Sequence, residues 1–402
     1  MIDLIERPQY LKKIIPFIQQ QLIKVISGQR RVGKSYLLKQ IEVEILQKFA
    51  NVNLVKIDKE QLQFSFIKTF EDLNQYAQTK KVAGKVNCLF IDEVQEIKEF
   101  EKCLRSLQNE GVWDIYITGS NANLLSGDLA TLLAGRFVEI QVHGLSYLEF
   151  LQFNKLSDNS QTLNQYLEFG GLPYLHHLNN NQEVVLEYLK NIYNTILLKD
   201  VVAREGIRNV YFLENLVNFL ADNTGSLISA QNISKYLKSQ KVDISTQTVL
   251  NYINTLTKAF LVYKVSRADV HGLKVFEVGE KYYFEDLGIR QSVRQSNVLS
   301  DTEKRMENVV FIHLLRNGYK VFVGQLDNKE INFVAEKNQN KIYIQVSYTL
   351  ADEKTAQREF GNLLDVQDNY PKYVVTLDDF LPSRTFKGIE QMHLRNFLLR
   401  EW

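Results

Sequence analysis

The chain has 402 residues, 45% of them hydrophobic, and its 48 basic and 47 acidic side chains leave a formal charge of +1. That length suits several domains with sizeable cores, and the near-neutral balance excludes a whole-molecule field for nucleic acid or an anionic membrane. The cysteines, Cys88 and Cys103, make no disulfide framework, and no apolar run approaches the roughly 18 residues of a membrane span.

No signal-peptide pattern opens the chain, so a cytoplasmic protein without membrane attachment is expected. Residues 1–21 read as a helical lead-in, with Arg7-Pro8 ahead of Leu11, Ile14, Ile15 and Ile18. A β-branched run, Leu22 to Ser27, then enters Gly28-Gln29-Arg30-Arg31-Val32-Gly33-Lys34-Ser35, and Leu37, Leu38, Ile41 and Ile45 follow at helical spacing. Strand, glycine-bounded loop and helix is the context of a phosphate site. Gly28 and Gly33 let backbone N–H groups turn inward, and the helix N-terminus adds a positive dipole end. Lys34 suits the β- and γ-phosphates of ATP, and the Ser35 hydroxyl suits Mg²⁺.

A second strand is expected at Val52–Asp58 and a polar helix near 66–80. Val86 to Ile91 forms an apolar strand ending in Asp92-Glu93. A parallel strand buried on both faces reads as such a run, and ligands lie beyond its carboxyl end. Asp92 is placed to hold Mg²⁺, and Glu93 to orient and deprotonate an attacking water. A further apolar strand, Trp113 to Gly119, ends in Ser120-Asn121, either of which suits a γ-phosphate sensor. Arg136, after that strand, is a candidate finger for its own γ-phosphate or for that of a neighbouring copy in a homo-oligomer. A solvated arginine is the alternative.

GQRRVGKS, CLFIDEVQ, ITGSN and LLAGRF…GLSYLEF, in that order, resemble a family of prokaryotic AAA-type ATPases. Tyr166 to Pro173, Leu198-Lys199-Asp200 and Lys281 to Gly288 extend the resemblance over nearly the whole chain. It implies ATP binding through Gly28 to Ser35, a Walker B pair at Asp92 and Glu93, and a sensor near Ser120 and Asn121. It also implies a C-terminal domain of unknown function with a restriction-nuclease-like fold.

The expected architecture is therefore α/β: an AAA-type P-loop NTPase core with a parallel sheet over 1–143, followed by a helical lid over 144–222. Gly170-Gly171-Leu172-Pro173 interrupts the lid as a hinge or a plain loop. Residues 223–297 read as a winged-helix-like module: two short helices, then Phe260–Val265 and Lys274–Val278 joined at His271-Gly272. Lys235, Lys238, Lys241, Lys258 and Lys264 against Asp243 make it basic. Double-stranded DNA is one candidate partner for that face, a structural connector is the other reading, and an unidentified protein partner stays open.

Residues 298–402 follow the order of PD-(D/E)xK nucleases, with Glu307 on a helix, then strands ending in Asn332 and in Gln345-Val346-Ser347. That chemistry needs converging carboxylates for Mg²⁺ and a lysine beside the nucleophilic water. Asn332 stands where an aspartate is expected and Ser347 where a lysine is expected. Glu330 shares the strand face of Asn332 and offers a substitute carboxylate. Lys341 lies six residues before Ser347, roughly 20 Å at strand rise. No DNA cleavage is expected. The leading functional reading is a Mg²⁺-dependent ATPase whose C-terminal modules read its nucleotide state. The alternatives are a DNA-acting ATPase or ATP-dependent nuclease, and a nucleotide-gated binding module with little turnover.

Overall fold

Five apolar runs in the first part of the chain become one parallel sheet in a computed structural model of the protein. It describes all residues except 1–4, 123–132, 134, 179–180, 240–243, 271, 273, 295–300 and 379–383. Leu132, Ala134, Lys241, Asp243, His271 and the expected boundary at 297/298 therefore lie outside the described residues. The strands are β1 (Ile23–Ser27), β2 (Val52–Asp58), β3 (Val86–Asp92), β4 (Trp113–Gly119) and β5 (Phe137–Gln141), in the order β2-β3-β4-β1-β5. Every residue of β1 and β4 is buried, as expected for strands covered on both faces. Parallel pairing sets Ser27 beside Gly119 and Ile91 beside Ile117. The carboxyl ends of β1, β3 and β4 thus share one edge of the sheet.

Helices α1 (Pro8–Ile14), α2 (Lys34–Lys48), α3 (Phe70–Lys80) and α4 (Phe100–Asn109) belong to this unit. Thr69 and Asp72 close a reciprocal capping box on α3, which satisfies two otherwise unpaired N–H groups. Leu104 and Leu107 of α4 pack with Ile23, Leu89, Ile91, Ile115 and Ile117 in one core.

The remaining chain holds α5 (Tyr147–Asn154), α6 (Ser160–Phe169), α7 (Gln182–Thr195), a π-helical stretch at Ile196–Ala203, α8 (Val210–Asp222), α9 (Ala230–Ser239) and α10 (Thr246–Lys258). Then follow β6 (Val262–Asp269), β7 (Val275–Phe284), α11 (Leu287–Val293), α12 (Thr302–Arg316), β8 (Lys320–Leu326), β9 (Lys329–Lys337) and β10 (Asn340–Val346). The chain closes with α13 (Glu353–Leu364), β11 (Lys372–Thr376), β12 (Arg384–Phe386), β13 (Ile389–His393) and α14 (Leu394–Leu399). Eight strands form a second sheet in the order β12-β13-β11-β10-β9-β8-β6-β7.

Contacts divide the molecule into two compact units, Met1–Gly144 with Lys258–Phe260, and Leu145–Thr257 with Leu261–Trp402. The first unit ends at Gly144 apart from Lys258–Phe260, and within the second, Tyr147, Leu163 and Tyr166 share a core with Met306, Phe311, Phe333 and Phe397. In the same unit β6 pairs with β8 in parallel, Arg267 beside Val323, and so joins the second sheet. An apolar hairpin at a sheet edge is most stable when its open backbone groups are paired, and β8 supplies that pairing.

The Gly170–Pro173 segment, read as a hinge or a plain loop, is closely packed and tied by hydrogen bonds at its glycines. A Cβ on Gly170 would stand 2.4 Å from Asp286 Oδ1, and one on Gly171 would stand 2.4 Å from the Leu145 carbonyl oxygen. Asp286 Oδ2 accepts from the Gly171 N–H at 2.7 Å, while its Oδ1 caps α11 by accepting from the Ile289 N–H at 3.0 Å. Burial raises the Asp286 carboxyl to about 6.

Candidate functional site

The loop after β1 is shaped by close approach. Gly28 has φ +143°, and a Cβ there would lie 2.1 Å from the Val142 carbonyl oxygen, so only glycine fits. Behind the loop, the buried guanidinium of Arg7 donates from Nη1 to the carbonyls of Val32 and His143, both at 3.0 Å, and from Nη2 to Gly144 at 3.2 Å. Arg7 reads as an ordinary helix lead-in in the sequence. Its partners lie up to 137 residues away, and no local pattern announces them.

Lys34 is buried, and its ammonium donates to the Gly28 and Gln29 carbonyls at 3.0 Å each. Lys34 Nζ also lies 3.9 Å from Glu93 Oε1. Gln29 and Val32 are buried with the loop, Arg31 is exposed, and Arg30 reaches Glu60 at 3.7 Å. Ser35, in the first turn of α2, hydrogen-bonds the Asp92 carboxylate. The loop, the lysine, the serine and the two carboxylates are thus together.

Thr118, at the penultimate position of β4, organises the carboxylate pair. Its hydroxyl donates to Asp92 Oδ1 and accepts from the Glu93 N–H at 2.9 Å. Glu93 takes a left-handed backbone conformation, φ +56°, uncommon for a residue with a side chain, and the Thr118 bond holds it there. Gln95 Nε2 donates to Glu93 Oε2, and Ser120 Oγ donates to the same oxygen at 3.3 Å. Burial pushes the Glu93 carboxyl up, but the Lys34 and Arg30 charges outweigh burial and bring it below its ordinary value. Burial raises the Asp92 carboxyl against the Ser35 and Thr118 hydrogen bonds.

Ser120 therefore touches Glu93, and Asn121 is buried beside it in sequence, at the end of β4. Arg136 is elsewhere. Its carbonyl accepts from the Ile23 N–H at 3.0 Å, which places it at the amino end of β1, and its exposed Nη1 donates to Asn109 Oδ1 at 2.8 Å. The length of β1, roughly 16 Å at strand rise, separates it from the loop of its own chain. Of the readings open for Arg136, the structure does not bring it to the phosphate loop of its own chain, because a parallel neighbour that starts at Phe137 opposite Ile23 puts the preceding residue at the other edge of the sheet; a finger toward a neighbouring copy and a solvated arginine remain. Thr118 and Gln95 were the residues a sequence reading passed over. Their signal was a hydroxyl and an amide next to strand ends that already carried the motif.

A phosphate-loop strand flanked by β4 and β5, with the carboxylate strand one place further on, defines a P-loop ATPase core of the AAA type. Residues 20–151 match the AAA domain family AAA_14, and residues 160–300 match a domain of unknown function, DUF8612. The chain belongs to the family that joins these two domains. It is 36% identical over 403 residues to an uncharacterized protein of Haemophilus influenzae, covering 99% of each chain. An uncharacterized protein of Methanocaldococcus jannaschii, MJ1544, is 29% identical over 365 residues, 86% of this chain and 78% of that one. Among solved structures, the Walker-type ATPase PABY2304 of Pyrococcus abyssi superposes with a TM-score of 0.51 at 15% identity, over 73% of this chain and 96% of that one. That is a likeness of fold. No helix among the described residues is long and apolar enough to cross a membrane.

Proposed function

We propose that this protein hydrolyses ATP with Mg²⁺ at the loop of residues 28–35. The observation that carries the proposal is Glu93: a buried carboxylate with a lowered pKa, 3.9 Å from Lys34 and hydrogen-bonded to Ser120 at the end of the neighbouring strand. A site that only stores nucleotide has no use for an ionised base beside the γ-phosphate lysine. Backbone N–H groups of the loop and the Lys34 ammonium bind the phosphates. Ser35 and Asp92, already hydrogen-bonded to each other, present adjacent oxygens suited to a hard cation. These two residues would hold Mg²⁺, which would supply charge neutralisation for the bound triphosphate. Glu93 takes the proton of the attacking water, while Ser120 and Asn121 orient the γ-phosphate side of the site. For Lys34 to reach a phosphate, its bonds to Gly28 and Gln29 must be exchanged for the ligand. Arg136 is left with a role only toward a neighbouring copy.

The test is Glu93→Gln, which removes the base and keeps the shape. ATP affinity is expected to stay within a few-fold, and turnover to fall roughly 10²–10⁴-fold. Wild-type turnover in that variant overturns the assignment. Running both proteins with and without duplex DNA separates an ATPase stimulated by DNA from one indifferent to it. Negligible turnover in the wild-type chain would favour a nucleotide-gated binding module.

A further inference from the structure

The C-terminal unit contains a lysine that the strand pattern does not reveal. Lys281 of β7 is 2% exposed, and its ammonium lies 2.7 Å from Glu330 Oε1 and 3.4 Å from Glu307 Oε1. Position 347, where the nuclease-like order calls for a lysine, holds serine, and Lys281 comes from a strand outside the expected domain. Ser347 itself turns away, its hydroxyl donating to the Thr349 carbonyl at 3.2 Å.

We propose that the Lys281 ammonium is a resident counter-cation in the place a divalent metal would take between Glu307 and Glu330, so that this unit works without metal. The Glu307, Asn332 and Gln345 groups that a metal would recruit are already committed. Glu307 Oε1 accepts from Asn332 Nδ2 as well as facing Lys281, and Glu307 Oε2 accepts from the Tyr283 hydroxyl at 3.0 Å. Asn332 Oδ1 accepts from the Val346 N–H at 2.9 Å, and Gln345 Oε1 accepts from the Asn332 N–H at 2.6 Å. Gln345 Nε2 donates to Glu359 Oε2 at 2.8 Å. Gly225 closes the far side: a Cβ there would stand 2.3 Å from Glu307 Oε2.

Among the described residues no group of three or more acidic, histidine or cysteine side chains is arranged to hold a metal, and the Mg²⁺ of a nuclease does not fit here. Burial works against the charge on Lys281, but Glu307 and Glu330 outweigh it and raise its pKa. Burial raises the Glu307 carboxyl against the opposing Lys281 charge.

The experiment measures Mn²⁺ binding by electron spin resonance and by melting, in nucleotide-free full-length protein. Wild type and Glu307→Gln are expected to bind Mn²⁺ identically, because Glu307 is no ligand while Lys281 is present. Lys281→Ala, and the smaller polar Lys281→Ser, vacate the centre and are expected to gain one Mn²⁺ site that Glu307→Gln abolishes. At a hundredfold excess over its dissociation constant, Mn²⁺ should raise their melting temperature by roughly 5–10 °C. A Glu307-dependent Mn²⁺ site in the wild-type chain overturns the proposal. A folded Lys281 variant that gains no Mn²⁺ also overturns it. The wild-type comparison stands even if both Lys281 variants fail to fold. The result does not depend on the ATPase reading, because no nucleotide is present.

Discussion

Lys34 and Lys281 are both buried lysines set against carboxylates, with opposite consequences. At the nucleotide site Lys34 is bound to two carbonyls of a glycine-bounded loop and stands 3.9 Å from Glu93. In the second unit Lys281 faces Glu307 and Glu330, and the Asn332 and Gln345 amides beside them donate to the Glu307 and Glu359 carboxylates. The residue types are nearly the same. What differs is whether the donors can be exchanged for a ligand. Backbone carbonyls release a lysine readily to a polyphosphate, because a charge-assisted bond replaces a neutral one. A buried carboxylate pair does not, since removing its cation leaves two uncompensated charges.

The sharpest way to break this comparison is Lys34→Ala. It should cost on the order of 10³-fold in ATP affinity and leave the urea midpoint unchanged, the reverse of a residue that balances its own fold. A shifted midpoint with normal calorimetric ATP affinity would erase the distinction. Thr118→Val is a subtler probe, since it keeps the shape and deletes the bonds to Asp92 and the Glu93 N–H. Turnover should drop about 10–100-fold, the equivalent of losing one or two hydrogen bonds at a charged site, with a smaller change in ATP affinity measured by titration.

The second unit should be the more sensitive to acid. His313 of α12 is buried, and burial with the nearby Arg316 charge pushes its pKa down to about 3. Below roughly pH 6.5 the unfolded chain takes up a proton that the folded chain refuses until about pH 3, so stability is full above pH 6.5 and falls as pH drops. His313 contributes a loss on the order of 2 kcal/mol by pH 5, partly offset by the raised Asp286 carboxyl, which takes up its proton in the fold first, and His313→Leu should make the urea midpoint less sensitive to acid. Arg136→Ala carries the smallest expected effect. In protein kept monomeric, turnover and affinity should stay within about twofold, since the side chain contacts Asn109 at the opposite edge of the sheet; a loss seen only at high protein concentration would assign it to a neighbouring copy.

The nucleotide site was legible because its parts are contiguous or sit at strand ends whose apolar runs are unmistakable. Gly28 to Ser35, Asp92-Glu93 and Ser120 are read from spacing, and parallel pairing then has little freedom to misplace them. Arg136 stayed open between several readings, since being near a strand says nothing about which end of it. The second unit was legible only as a list of elements. Its lid, wing and nuclease-like parts were separated by eye because each has its own periodicity, yet Tyr147, Tyr166, Met306 and Phe333 share one core. Lys281 could not be foreseen, since the hairpin holding it was assigned to a different module, and only the β6–β8 pairing carries it to Glu307.

The lock between Gly171 and Asp286 bears on how quickly the chain reaches its native state. It joins residues separated by 115 positions, and closing a loop of that size costs roughly 4 kcal/mol of chain entropy beyond a constant. The helices and strands between them must be largely in place before the two glycines meet their carboxylate. Such a contact forms late, so it slows unfolding more than it speeds folding. The second unit is thereby expected to open slowly, with a lifetime set by a carboxylate and two glycines that no active-site argument would have singled out.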